Sequence, residues 1–289
     1  MRDLFICYNW FPTIADHIID FPESFYKNHG ISRLHSCDQF NPLDVKENDI
    51  IFVKTDFIVN GLFNQKVLPY LNKKFSLITG ISSYQLGRDD NGAIHKILSN
   101  DNLKKIFCVH PPPIEDDRIV PLPIGFEERE RDGGDQNAIR FNHYTKKKFS
   151  DKKDKILLPY HTPNTNPLRA NLIKTLSGLP FVETQKKKLS FSDYLELVNE
   201  YKFIICLEGS GPDLHRNYET LLVGSIPINL HNTIKNLFHY HDIPGIFLDN
   251  WQELDEKKYE QILNFNYNCD NIERFLRIGY HADLIRSLS

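Results

Sequence analysis

The residues whose types and spacing could do chemistry lie together in one segment, Tyr201-Lys-Phe-Ile-Ile-Cys-Leu-Glu-Gly-Ser-Gly-Pro-Asp-Leu-His-Arg-Asn-Tyr-Glu-Thr-Leu-Leu-Val-Gly-Ser-Ile-Pro-Ile228. The pattern predicts a strand, a glycine turn, a helix over 212–223, a glycine stop and a second strand. Gly209 and Gly211 permit a tight turn, Pro212 suits a first helical position, and Gly224 suits a left-handed helix end. Leu214, Tyr218, Leu221 and Leu222 form the apolar stripe, while Asp213, Arg216, Glu219 and Thr220 lie on the opposite arc. A helix that starts at the carboxyl end of a buried strand is where α/β sheets take ligands, and its free N–H groups favour an anion. An arginine one turn in can clasp a phosphate bidentately, and a glutamate one turn further can accept bonds from two adjacent sugar hydroxyls. Phosphate near the N-terminus with a diol deeper along the helix describes a nucleotide sugar. The plainer alternative is a surface ion pair between Arg216 and Glu219, worth about 0.2–0.5 kcal/mol.

Elements that could position this segment recur along the chain. Strands are expected at 4–8, 50–54, 75–79, 105–109 and 119–122, then at 155–159, 180–183, 203–207, 226–230 and 245–248. Helical patterns lie between many of them; one runs over 192–201 with Tyr194, Leu195 and Val198 on one face. Such alternation implies βαβ units and parallel sheets. Residues 127–155 lack apolar periodicity and end in a lysine-rich run read as solvated surface. The expected organisation is an N-terminal lobe over 1–130, a charged linker over 131–154, and a C-terminal lobe over 155–268; the resemblance given below implies that the first is the acceptor side and the second binds the nucleotide sugar. A last helix over 269–289 is placed so that it could cross back to the first lobe.

Composition narrows the class. With 289 residues, 40% hydrophobic and 25% charged, the chain is an ordinary globular protein. A balance of 35 Lys+Arg against 38 Asp+Glu argues against a dedicated nucleic-acid binder. No apolar run approaches the roughly 20 residues that span a bilayer, and Met1–Ile6 does not open like a secretory signal. The five scattered cysteines include no C-x-x-C pair, which suits a reduced, cytoplasmic setting.

The run Gly209, Gly211, Asp213, Arg216, Glu219, Leu221, Gly224, Ile226, Pro227, Ile228, following a K-F-x-x-C strand, resembles the donor-site signature of exostosin-like glycosyltransferases. Phe75-Ser-Leu-Ile-Thr-Gly80, Leu122-Pro-Ile-Gly-Phe126 and Phe247-Leu-Asp-Asn-Trp251 are similar to other landmarks of that family, so the likeness spans about 50–255. Short members of this kind resemble sugar transferases encoded by large algal viruses. The resemblance implies a GT-B fold, with two facing Rossmann-like lobes of mainly parallel sheet. It also implies an inverting, metal-independent transferase that moves a sugar from a nucleoside diphosphate, UDP by expectation, to a glycan hydroxyl. No cofactor or metal is expected, and no D-x-D motif occurs. Ser210, Gly211, Asp213, His215, Arg216 and Glu219 are the expected donor-binding set. Arg169 joins it as a second cation beside the loop 160–168, the alternative being an exposed helix arginine. His215 is either a phosphate contact or a locally satisfied side chain.

Inversion needs a base for the acceptor hydroxyl. Asp56, after the strand Ile50–Thr55, is the catalytic candidate, with a helix N-cap as its alternative. Asp16, His17, Ser83, Asp90 and His110 are weaker ones. Trp10, Tyr84, Tyr160 and Trp251 could stack on a sugar or base. The expected partners are a nucleotide-sugar donor and a carbohydrate acceptor, with no nucleic acid and no membrane span. Two rivals stay open: a fucosyltransferase-like enzyme using a GDP-sugar, and an inactive nucleotide- or carbohydrate-binding protein.

Overall fold

The computed structural model describes residues 4–21, 31, 33–127, 145–162, 168–264 and 266–289. The chain forms two compact units, Met1–Ile124 with Arg277–Ser289, and Gly125–Leu276. Of the expected linker, residues 131–144 lie outside the described residues, as do 163–167 of the loop before Arg169.

The first unit holds β1 (His17–Ile19), β2 (Leu34–His35), β3 (Asp49–Lys54), β4 (Phe75–Gly80), β5 (Leu103–Val109) and β6 (Ile119–Leu122). They form one sheet in the order β2-β1-β3-β4-β5-β6, every pairing parallel. All six residues of β4 are buried, as a central strand covered on both faces requires. The core beneath gathers Ile51, Val53, Leu77 and Ile106 with Phe57 of α1 (Thr55–Val59), Phe63 of α2 (Leu62–Lys66) and Ile94 and Ile97 of α3 (Ala93–Leu98). The expected strand at 4–8 is corrected: Tyr8–Ile14 is a 3₁₀ helix containing Pro12, and Phe5 makes only an isolated antiparallel bridge to Arg277. The Arg277 guanidinium stacks 4.0 Å from the Phe5 ring, and the helix Ile278–Leu288 follows.

The second unit holds β7 (Lys153–Leu158), β8 (Val182–Thr184), β9 (Tyr201–Ile205), β10 (Ile226–Leu230) and β11 (Ile246–Leu248) in the order β11-β10-β9-β7-β8, again all parallel. Its helices are α4 (Arg169–Leu176), α5 (Phe191–Asn199), α6 (His215–Leu222), α7 (Thr233–Tyr240), α8 (Glu256–Asn264) and the short α9 (Ile272–Phe275). Ile156, Phe203, Ile205, Ile226 and Ile228 line its core with Trp251 and Ile262. Full burial of each such side chain contributes about 1.5–3 kcal/mol. Two Rossmann-like parallel-sheet units in one chain are the make-up of a GT-B fold. In each unit the strand order reverses beside the first strand, between β1 and β3 and between β7 and β9, the place where α/β sheets take ligands.

Two local expectations change. The helix after the glycine turn starts at His215 rather than Pro212, because Asp213 is buried and turned inward; its carboxylate accepts from Leu214 N–H (2.7 Å), from Asn217 Nδ2 (3.2 Å) and from the Tyr218 hydroxyl. Asp213 thus lies ahead of the helix and is buried, and Thr220 is buried on the helix's packed side. The lysine run is not wholly solvated either. Lys152 is buried, its ammonium donating to Asn199 O at 2.7 Å and Oδ1 at 2.8 Å, and burial pulls its pKa down to about 8.

Gly224 ends α6 with φ +73°, and Ser225 N–H bonds back to Thr220 O at 3.1 Å, a Schellman-type closure. No atom lies within 4 Å of where a Cβ would sit. Gly224→Ala is therefore expected to cost only the left-handed backbone penalty, about 1–2 kcal/mol. Urea unfolding measures it, and an unchanged midpoint contradicts the cap.

Candidate functional site

A cavity of about 290 Å³ opens in the second unit at the carboxyl ends of β7 and β9, where its strand order reverses. Its lining comes from the loops after β7 and β9, the segment between β8 and α5, and the first turns of α4, α5 and α6. Of the expected donor-binding residues, Arg169, His215, Arg216 and Glu219 line it. Ser210 is exposed, Gly211 is half-buried, Asp213 is the buried carboxylate described above, and none of the three lines the cavity.

Arg216 carries the anion chemistry. Its Nη2 donates to Tyr160 O at 3.1 Å and its guanidinium lies 5.3 Å from the Tyr194 ring centre. Nη1 is shut off from solvent and meets no hydrogen-bond acceptor. A buried charged donor without an acceptor costs far more than a satisfied one, so Nη1 wants an anionic oxygen. Glu219 lies close enough to Tyr194 that its charge adds to burial in pushing the phenol well above its usual pKa.

Arg169 is not the exposed helix arginine of its second reading. It is buried, and it donates from Nε to Glu208 O (2.8 Å), from Nη1 to Thr162 O (3.3 Å) and from Nη2 to Leu207 O (2.8 Å). It thus ties the loops that follow β7 and β9 through their carbonyls, and its charge still borders the cavity. His161 makes a second tie. Nδ1 faces Pro159 O at 2.7 Å, which can only accept, and Nε2 faces Leu207 N–H at 3.3 Å, which can only donate. The pair fixes a neutral ring protonated on Nδ1. Burial, and then the Arg216 charge, hold its pKa down to about 2. His215 is the reverse case. Both of its nitrogens face acceptors, Gly125 O at 2.7 Å and Glu127 Oε2 at 3.3 Å. Burial, the largest single influence, opposes its charge, but Glu127, Gly125 O and Glu219 together raise the pKa above the ordinary value.

In the first unit Asp56 is the second residue of α1, not its N-cap; Lys54 holds that position without a side-chain bond. Asp56 Oδ2 is buried without a hydrogen-bond donor, at the β3 end of that sheet's own reversal. The weaker base candidates separate from it. Asp16 accepts from Ile50 N–H (2.9 Å) and His17 pairs with Asp49 (2.7 Å), both at the amino ends of β1 and β3. Asp90 is spent on Gly92 and Ile94 N–H groups at the start of α3. His110, at the end of β5, is buried with φ +57°. Ser83 and Tyr84 are exposed on the loop after β4, Trp10 is half-buried, and Trp251 belongs to the second unit's core.

His161, Gln185, Lys188, Leu189, Phe191 and Tyr194 also line the cavity and were not singled out as ligands from sequence. Tyr194 had looked like part of the α5 core stripe. Only Leu195 and Val198 of that stripe are buried outright, while Tyr194 turns to the cavity. Among the described residues no group of three or more His, Cys, Asp or Glu could hold a metal ion. No helix among them is long and apolar enough to cross a membrane.

No protein-family model matches the chain, and no curated protein matches it in sequence. Among solved structures it is similar to the GtfA/B complex (TM-score 0.39, 10% identity, 85% of this chain and 55% of that one). It is similar to the UDP-GlcNAc 2-epimerase of Methanocaldococcus jannaschii (TM-score 0.35, 14% identity, 83% and 77%). An alpha1,3-fucosyltransferase with GDP-fucose gives a TM-score of 0.36 at 11% identity, over 93% of this chain and 89% of that one. The chain thus spans about half the length of the GtfA/B chain it matches. Likenesses this distant bear on neither its substrate nor its chemistry, and the assignment of its fold rests on its own two sheets.

The neutral His161 sets a pH dependence. The unfolded chain takes up this proton near pH 6.5, the folded chain only near 2. The unfolded state therefore binds more protons between those values, and stability falls as pH drops below about 6.5, by about 1.4 kcal/mol per unit. Melting curves from pH 7.5 to 4.5 should show His161→Gln starting less stable but declining less steeply than the parent. Equal slopes contradict the neutral assignment.

Proposed function

We propose that the chain is an inverting glycosyltransferase of the exostosin-like kind, which takes a sugar from a nucleoside diphosphate, UDP first, to a hydroxyl of a glycan acceptor. The observation that carries this is Arg216 Nη1, a buried cationic donor without an acceptor, in a cavity at the strand-order reversal of a parallel sheet. Glu219, on the next turn of the same helix, supports a neighbouring diol site.

In this mechanism Arg216 meets the diphosphate, and the growing negative charge of the leaving group strengthens that contact in the transition state. The imidazolium of His215, satisfied on both sides by Gly125 O and Glu127, adds positive charge at the same wall. Arg169 acts by holding the loop carbonyls in place, so that none of them turns toward the anion. Glu219 accepts from the ribose hydroxyls. Asp56, whose Oδ2 has no partner, takes the proton of the attacking acceptor hydroxyl. The guanidinium and imidazolium supply the charge that a divalent ion supplies in metal-dependent transferases, and no cofactor is assigned. The chain is proposed to work in the cytoplasm.

Incubation with UDP-sugars and glycan acceptors tests the reading: free UDP should form in step with a gain in acceptor mass. UDP release without transfer, or neither, contradicts it. The rate should persist in excess EDTA, and a strict need for Mn²⁺ or Mg²⁺ contradicts the cationic side-chain mechanism.

The two units should separate by variant. Arg216→Ala is expected to lose donor affinity in calorimetry and also kcat, by on the order of 10²–10³. Asp56→Asn keeps the shape without the base, so donor affinity stays near the parent while turnover falls by about 10²–10⁴. Near-parental turnover in Asp56→Asn places the base elsewhere.

A further inference from the structure

We infer that Gln185 reads the base of the donor, donating its amide N–H to the exocyclic oxygen of a keto nucleobase, so that the cavity takes uridine or guanosine diphosphates over cytidine or adenosine diphosphates. This rests on the nucleotide-sugar reading above and adds to it a means of choosing the base.

The orientation of the Gln185 amide is set by chemistry. Tyr160 N–H lies 3.0 Å from its Oε1 and can only donate, so the oxygen must face Tyr160. That leaves the Nε2 group, which donates two N–H bonds and accepts none, on a side chain that lines the cavity. No described residue accepts a bond from Nε2. Tyr160 also fixes where this donor stands relative to the proposed phosphate contact. Its carbonyl accepts from Arg216 Nη2 at 3.1 Å while its N–H holds Gln185, so one residue carries both ends of the ligand-reading surface. The same stretch of chain brings Leu189 and Phe191 to the cavity wall, apolar side chains that can cover the face of a base.

A donor-only group discriminates in one direction. Uracil O4 and guanine O6 are acceptors, whereas cytosine N4 and adenine N6 carry N–H donors at the equivalent positions. Cytosine or adenine would therefore bring N–H against N–H in a partly desolvated site, which leaves both donors unpaired.

Calorimetric titration of UDP, GDP, CDP and ADP into the parent and into Gln185→Glu tests this. The carboxylate of the variant keeps an acceptor for Tyr160 N–H but offers the ligand no donor, so the brace survives while the base preference changes. In the parent, UDP should bind about tenfold or more tighter than CDP, and GDP likewise against ADP. Gln185→Glu should bind every nucleotide less well for its added charge, and should shrink both ratios by about tenfold. CDP binding as tightly as UDP in the parent, with ADP matching GDP, overturns the role of Gln185 and leaves the donor site standing. Ratios unchanged in Gln185→Glu overturn it equally. If none of the four nucleotides binds, the nucleotide-sugar reading fails, and the role of Gln185 with it.

Discussion

The buried guanidinium of Arg169 is the interaction on which the crevice of the second unit depends. Parallel strands end in carbonyls that point out of the sheet, and where strand order reverses the loops leave in opposite directions. At the β7/β9 reversal three of those carbonyls, from Thr162, Leu207 and Glu208, converge on one arginine. Without that cation they would need water or a neighbouring donor, because a buried carbonyl left unpaired costs about 1–3 kcal/mol. His161 completes the tie by bonding Leu207 N–H and Pro159 O through a neutral ring. Burial disfavours a charge there, and a third cation would also meet Arg216 and Arg169, which is why the ring stays neutral.

Once the loops are held, the polar groups of the cavity sort by what is left for them to bind. Tyr160 has its N–H on Gln185 and its carbonyl on Arg216, so Gln185 keeps only donors and Arg216 keeps a free Nη1. His215 has acceptors on both sides and so favours the cation. The cavity wall is therefore biased towards donors and positive charge, with the Glu219 carboxylate set one turn deeper along α6. That arrangement matches a ligand with an anionic group at one end and hydroxyls beyond it.

Much of this was legible in the sequence. Short runs such as Phe203–Ile205 and Phe75–Gly80 are buried on both faces, so apolar content alone reveals them, and Gly224 announces its own left-handed φ. Arg216 and Glu219 were legible because an i,i+3 pair on a helix must share a face. Other features depend on tertiary pairing that no local pattern records. Asp213 reads as a surface residue until Tyr218 and Asn217 turn it inward, and that shift moves the helix start three residues along. Arg169 reads as a second cation or an exposed arginine, and its role as a tie is hidden because its carbonyl partners at 207 and 208 lie far along the chain. Gln185 carries no signal of its own, since its role follows from a bond to the backbone of Tyr160. The first strand was misplaced because the apolar run at Phe5–Tyr8 looks like a strand, whereas the true β1 has only three residues.

The most direct test of the central claim is a crystal structure of the full chain grown with UDP. The diphosphate should lie within hydrogen-bond distance of Arg216 Nη1, with the ribose hydroxyls at Glu219. A structure in which UDP binds elsewhere, or in which Arg216 Nη1 turns away from the bound nucleotide, contradicts the account.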